Sequence, residues 1–462
     1  MRNSLPKLVV LLLFGAAPAW AAGQVADDDV AARMNRLETE TRLLREELQW
    51  LRQQPVRLPQ VAAAPASTAH ELPALPGDPA PSPTMPEVQA EIKKLAWSKG
   101  DFKIVPYGWL WGNMVYSTER TSPGSYTLFV QSQTTQPGES EFITDVRNTR
   151  LGFDVTGPRI AFFNCAESGG KVEIDFQQSL LTTENRPTIL LRHAYWEVKN
   201  EEFRLLFGQT WDVISPLNPG TLMYSVLWDA GNIGYRRAQF RAERYLAFSD
   251  VSLLTLQASA NQTFLEDIIA SARSEPSNWP IIEMRTATTL GERGPGGHPI
   301  TFGVWGHIGT EEHHRLVAPI EDELHRTWSV GSDFRWPLTD RLGFQAEFFT
   351  GENLGAFLGG IGQGNDPLTF NNIRSTGGWC EVWYDWTPRL HSHAGYSLDD
   401  PNNHDLTAIG DKSYNQVYWG NISYDITKNF LAGLEVSSWK TLYVGQRPGE
   451  SVRTEFVMKY GF

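Results

Sequence analysis

The last eight residues, Glu455-Phe456-Val457-Met458-Lys459-Tyr460-Gly461-Phe462, decide how the rest of the chain is read. Phe456, Met458, Tyr460 and Phe462 alternate with Val457, Lys459 and Gly461. A period of two is that of a β-strand, whose side chains point to opposite faces in turn. One face here is apolar and aromatic throughout and reaches the final residue, where termini are usually frayed and polar. A strand that meets lipid and ends at a membrane interface has this pattern. A terminal edge strand of a soluble sheet is the alternative, and the remaining sequence separates the two.

At the other end, Arg2 and Lys7 precede the apolar run Leu8–Phe14, and Ala19-Trp20-Ala21 offers small residues around a cleavage point. Residues 1–22 therefore read as a secretory signal peptide. No later segment approaches ~20 consecutive apolar residues, so no transmembrane helix is expected. Among 462 residues, 12% are aromatic and 17 are Trp, while mean hydropathy is only −0.33. That combination suits a membrane barrel, in which every second strand residue faces lipid and aromatic girdles mark both interfaces. The formal net charge of −13 argues against nucleic acid as a partner. Cys165 and Cys380 are the two cysteines. Export permits a disulfide between them, and two separate thiols are the equal alternative.

Residues 27–53 carry Val30, Met34, Leu37, Thr41, Leu44, Leu48 and Leu51 at alternating spacings of four and three, a heptad seam with one polar member. About three heptads are marginal for a lone helix, so Met34, Leu37, Leu44, Leu48 and Leu51 are expected to bind copies of themselves. A single amphipathic helix lying on another surface is the alternative. Residues 54–100 are rich in Pro and Ala and read as an extended spacer, with a short helix over 87–97.

From residue 101 to 462 the pattern becomes short alternating runs. Strands are expected near 102–116, 147–156, 171–178, 191–199, 202–210, 236–245, 251–260, 281–290, 300–310, 325–336, 341–350, 377–387, 390–398, 413–425, 430–443 and 451–462. Tight connections near 200–201, 338–340, 388–389 and 427–429 alternate with long ones at 117–146, 211–235, 261–280, 311–324, 351–376 and 399–412. Only 157–170 and 444–450 break the rhythm. Short turns at one end and long loops at the other are the signature of an all-β transmembrane barrel, here of about sixteen antiparallel strands.

Each strand has one charged set: Arg150 and Asp154; Lys171, Glu173 and Asp175; Arg237, Gln239, Arg241 and Glu243; Arg453, Glu455 and Lys459. A charge facing lipid at the midplane costs ~2–4 kcal/mol, so these sets are expected to face a wet lumen. Strand 413–425 departs from the pattern, since Tyr414 and Tyr418 on one face and Val417 and Trp419 on the other are both apolar. A place at a subunit contact would account for it. Connection 211–235 is long and aromatic where an exposed loop should be polar. It is expected to fold inward as a constriction, with Asp212 and Asp229 as its acids; packing over the barrel mouth or on a neighbour is the alternative. Arg150, Arg237 and Arg241 are the basic candidates for the pore, and mutually neutralising ion pairs are the alternative for each.

Two resemblances follow from these residues. The terminal set Phe456, Met458, Tyr460 and Phe462 resembles the signal by which the barrel assembly machinery recognises outer-membrane barrels. TRLGFDVTG, KVEIDFQ, LRHAYWEV and LLFGQTWDVISP, in that order between Asn148 and Tyr245, resemble the core of the DcaP-like trimeric porins. That likeness implies a homotrimer in outer-membrane lipid with its helical segment in the periplasm. It also implies passive uptake of small anionic solutes past inward basic residues, for which Arg150, Arg237 and Arg241 are the matching positions. Against an enzyme, no G-x-S-x-G elbow is present. His313-His314 and His391-x-His393 read as loop or strand-end polar residues rather than metal ligands, so neither metal nor cofactor is expected. A structural outer-membrane anchor, tethered through coiled coil and spacer, is the second functional reading.

Overall fold

In the computed structural model, the described residues are 97–177, 187–263, 274–275, 279–294, 296–314, 322–366 and 368–462. The expected signal peptide, the expected seam of Met34 to Leu51 and most of the expected spacer lie outside them. So do residues 87–96 of the expected short helix. Trp97 to Lys99, which follow, are a strand turned back on Phe102 to Ile104.

Sixteen long strands form the wall. They are β1 (Phe102–Ser117), β2 (Arg150–Ile160), β3 (Ala166–Asp175), β4 (Leu190–Lys199), β5 (Phe203–Trp211), β6 (Arg236–Ser249), β7 (Ser252–Asn261) and β8 (Ile281–Leu290). The second half comprises β9 (Ile300–His314), β10 (Asp322–Pro337), β11 (Leu342–Glu352), β12 (Arg374–Thr387), β13 (Leu390–Pro401), β14 (Lys412–Thr427), β15 (Phe430–Tyr443) and β16 (Gly449–Gly461). Each pairs antiparallel with its neighbours in sequence, and β16 pairs with β1, Trp109 opposite Gly461. The sheet is closed and leaves no free edge. Phe462 completes the seam. Its N–H donates to the Gly108 carbonyl and its own carbonyl accepts from the Gly108 N–H, at 3.0 and 3.3 Å. A Cβ at Gly108 would lie 2.8 Å from the Phe462 ring and 2.5 Å from the Arg150 carbonyl, so closure requires glycine there.

The ends segregate. Connections 161–165, 200–202, 250–251, 291–299, 338–341, 388–389 and 428–429 share one end with both termini of the barrel; the remaining connections, most of them longer, share the other. Residues 157–170 are no exception, because β2 and β3 run further than their alternation suggests and leave a five-residue turn. Alternation sets the faces. Leu110, Met114, Leu151, Phe153, Phe240, Val304, Phe348, Val436 and Met458 are exposed on the outside, while Glu173, Arg241, Glu283, Asp333 and Glu455 are buried within. This is inverted relative to a water-soluble sheet and matches a wall between hydrocarbon and a polar interior.

Besides the short Ser274–Glu275, which pairs with the end of β9, two features lack a counterpart in the expected strands. Glu141–Asp145 pairs with the upper half of β1, extending the wall above β2. Within the first loop, Thr121–Pro123 and Thr127–Val130 form a small hairpin. Cys165 and Cys380 are both free thiols.

Candidate functional site: the loop 212–235 and the inner wall

Loop 212–235 joins β5 to β6, and its hydrogen bonds reach far round the wall. The Val213 N–H donates to Glu283 Oε2 of β8 at 2.6 Å, and the Leu217 N–H to Glu347 Oε1 of β11 at 2.8 Å. The Gly220 N–H donates to Glu381 Oε2 of β12, and the Leu222 N–H to Glu435 Oε2 of β15, both at 2.7 Å. Ser215 and Thr221 add hydroxyl bonds to Glu347 and Glu435. Tyr224 donates its phenol to Asp175 of β3 at 3.0 Å. A loop rich in Pro and Gly cannot satisfy its own amides, so buried acceptors must be supplied from elsewhere. Here the wall supplies them. At Gly220 the fit is close: its carbonyl accepts from Asn421 Nδ2 at 2.7 Å, and a Cβ would fall on the His393 ring, 2.7 Å from Cγ.

Apolar packing seats the same loop. Met223, Leu227 and Ala230 cluster with Trp379, Val417, Trp419 and Trp439 of the wall and Val130 of the first-loop hairpin. Ile214 and Ile233 pack with Ile281, Trp305, Phe349 and Phe357. Burial of a side chain of this size is worth about 1.5–3 kcal/mol. This explains the departure noted on β14. Val417 and Trp419 point inward to meet the loop, and Tyr418 is the outward residue. No subunit contact is needed to account for two apolar faces.

Loop 353–373 docks against it. The Asp229 and Gly234 N–H groups donate to the carbonyls of Leu358 and Phe357, each at 2.8 Å. Phe357 lies between the Arg237 guanidinium, 3.8 Å from its ring, and the His307 ring at 3.9 Å. Left-handed backbone at Ser215, Val226, Leu227, Asp229, Leu358 and Ile361 is costly for non-glycine residues and is held by this packing. Asp229 is buried, and its Oδ1 has no hydrogen-bond partner. Burial, with the charge of Asp399 added, pushes its carboxyl up to about 7.

The residues singled out in the sequence fall into different environments. Arg237 is fully buried; it pairs with Asp212 and donates to the Ala356 carbonyl. Arg241 is buried against Gln239 Oε1 at 2.8 Å and the Trp211 carbonyl. Asp212 and Asp229 are both buried. Arg150 differs: its side chain is 24% exposed, lies 4.8 Å from the Trp109 ring, and is 3.7 Å from Glu173.

Alternation alone could not rank the cations by exposure. Lys171 and Arg204 join Arg150, at 29% and 22% exposed, whereas their carboxylate neighbours Glu173, Glu197 and Glu243 are only 4–7% exposed. Aromatic rings carry the cations: Lys171 on Tyr107, Arg204 near Tyr195, and Lys459 on the same Trp109 that holds Arg150. Asp154, on β2 beside Lys171, is an exposed acid of this sector. Arg236, one residue from the chosen Arg237, is buried among Trp211, Trp228 and Tyr235 with no hydrogen-bond partner on any guanidinium nitrogen. The aromatics at 211, 228 and 235 were a signal for it.

The fold is that of solved outer-membrane channels. The crystal structure of the outer membrane channel DcaP of Acinetobacter baumannii matches with a TM-score of 0.62 and 19% identity, covering 79% of this chain and 99% of that one. Salmonella typhi OmpF, solved in complex with daunomycin, matches with a TM-score of 0.50 and 12% identity, covering 79% and 100%. At these identities the likeness is one of fold. No family model and no curated protein sequence matches the chain.

Proposed function

We propose that the chain is an outer-membrane porin, passing small hydrophilic anions by passive diffusion through a barrel narrowed by loop 212–235. About sixteen strands is the size at which a barrel leaves an aqueous channel. The carrying observation is the difference in exposure on β2–β5. Arg150, Lys171 and Arg204 present their charge to the lumen, while Glu173, Glu197 and Glu243 are tucked behind them. A passing solute then meets mostly fixed positive charge, which favours anions. Aromatic contacts hold those cations in place, with Arg204 also paired to Glu197 at 2.6 Å and Lys171 to Asp154 at 3.1 Å. Arg237 and Arg241 act in this reading as braces at the loop's root.

The assembly is proposed to be a homotrimer, its helical seams associated in the periplasm and its C-terminal strand read by the assembly machinery. Swelling of liposomes carrying the purified protein tests the solute class. Small dicarboxylates should enter faster than diamines of equal size. Equal rates would remove the anion preference, and no swelling with any solute would remove the channel.

A further inference from the structure

We infer that Glu283, Glu347, Glu381 and Glu435 act together as a carboxylate zipper that positions loop 212–235 and thereby sets the bore; the assignment rests on the channel reading above. Each comes from a different strand, and each accepts a loop N–H at 2.6–2.8 Å, Glu283 a second, from Ile214, at 3.4 Å. Their order round the wall, β8, β11, β12, β15, is the order of their partners along the loop: 213, 217, 220, 222. All four are buried.

The balance of charge separates them from lumen selectivity residues. Among the described residues, no Lys or Arg lies within ion-pair distance of any of the four; His393 is 3.4 Å from Glu381, and Arg237 and Arg241 reach Glu283 only at longer range. A buried carboxylate without a cation is costly unless hydrogen bonds replace its water. Those bonds come mainly from the loop: Val213 to Glu283; Leu217 and Ser215 to Glu347; Gly220 to Glu381; and Leu222 and Thr221 to Glu435. Wall side chains supply the rest, from Trp379 to Glu347, Gln345 to Glu381 and Asn421 to Glu435. The loop solvates the carboxylates, and the carboxylates fix the loop. Acids that face solute would instead be exposed, as Asp154 is.

Hydrogen exchange at the amides of Val213, Leu217, Gly220 and Leu222 tests this in folded, micelle-embedded protein, without needing conduction. In Glu347→Gln and in Glu435→Gln the side chain keeps its size, but an amide NH2 replaces one of two oxygens that both accept hydrogen bonds. All four amides should exchange about tenfold faster in each variant, since a lost hydrogen bond is worth roughly that factor. Amides of β1 and β16 should stay protected. Faster exchange only at the altered position would overturn the joint action, and unchanged exchange would overturn the zipper. If a glutamine variant does not fold, Leu222→Pro removes one donor from the loop side and gives the same readout at residues 213, 217 and 220. In bilayers, the glutamine variants should raise open-channel noise while leaving reversal potential within error of wild type. Loss of conduction in the wild type, with the four amides still protected, would overturn the channel reading and leave the zipper standing.

Discussion

Replacing Gly220 by Ala should unseat the tip of loop 212–235. Gly220 does not use left-handed backbone, so alanine brings no conformational strain, only a methyl group. That methyl would lie 2.5 Å from Cε1 and 2.7 Å from Cγ of His393, and closer still to Nδ1. Contact with Cγ means that a ring flip is no escape and the imidazole must leave its rotamer. Overpacking of this kind costs about 1–3 kcal/mol. If the tip lifts instead, it loses the Gly220 N–H bond to the Glu381 carboxylate, worth ~1.5–3 kcal/mol, and the Asn421 bond, worth ~1. The cheaper route sets the cost, so a shift of about 2 kcal/mol is expected, roughly thirtyfold in the population of the lifted tip. Single-channel recording should show larger and noisier openings. Adding His393→Ala should restore wild-type traces, because the methyl then has room. Traces of Gly220→Ala that match wild type, from protein with an intact barrel, would refute this docking of the loop.

Three further outcomes follow. Asp229→Asn should stabilise the barrel at pH 8 more than at pH 5. The folded carboxyl holds its proton to about 7 against an ordinary value of 3.8, so native protein binds more protons across that window. Its contribution is complete below pH 4 and is lost as pH rises through 7, about 4 kcal/mol at most, and thermal unfolding at the two pH values measures the difference. Neutralising Arg150, Lys171 and Arg204 together should move the reversal potential towards cations with little change in unfolding temperature, since the three charges are partly exposed. Deleting Phe462 removes two backbone hydrogen bonds at the β1–β16 seam and should reduce heat-modifiable barrel in outer-membrane fractions; undiminished barrel would count against its role in closure.

The barrel was legible because two constraints coincide. Lipid forbids charge on one face, and a period of two then writes every strand into the sequence. Alternation fixes which way each acid points, but not what it meets. The period of two turns Glu283 and Glu347 inward on their strands, yet their partners stand 70 and 130 residues away in a loop. No local pattern encodes such a distance. The same limit applies to Arg237, whose inward direction was legible and whose pairing with Asp212 was not. Val417 and Trp419 were conspicuous as a break in alternation, and the break marks the loop's seat. The first-loop hairpin escaped notice because its strands are three and four residues long, too short for alternation to register.

The most direct measurement is the reversal potential of the purified protein in a planar bilayer under a potassium chloride gradient. Stepwise conductance with a potential favouring chloride is the expected result, from a wall on which Arg150, Lys171 and Arg204 are more exposed than Glu173, Glu197 and Glu243. Folded protein that gives no conductance would contradict the channel itself, and a potential favouring potassium would contradict the cationic wall.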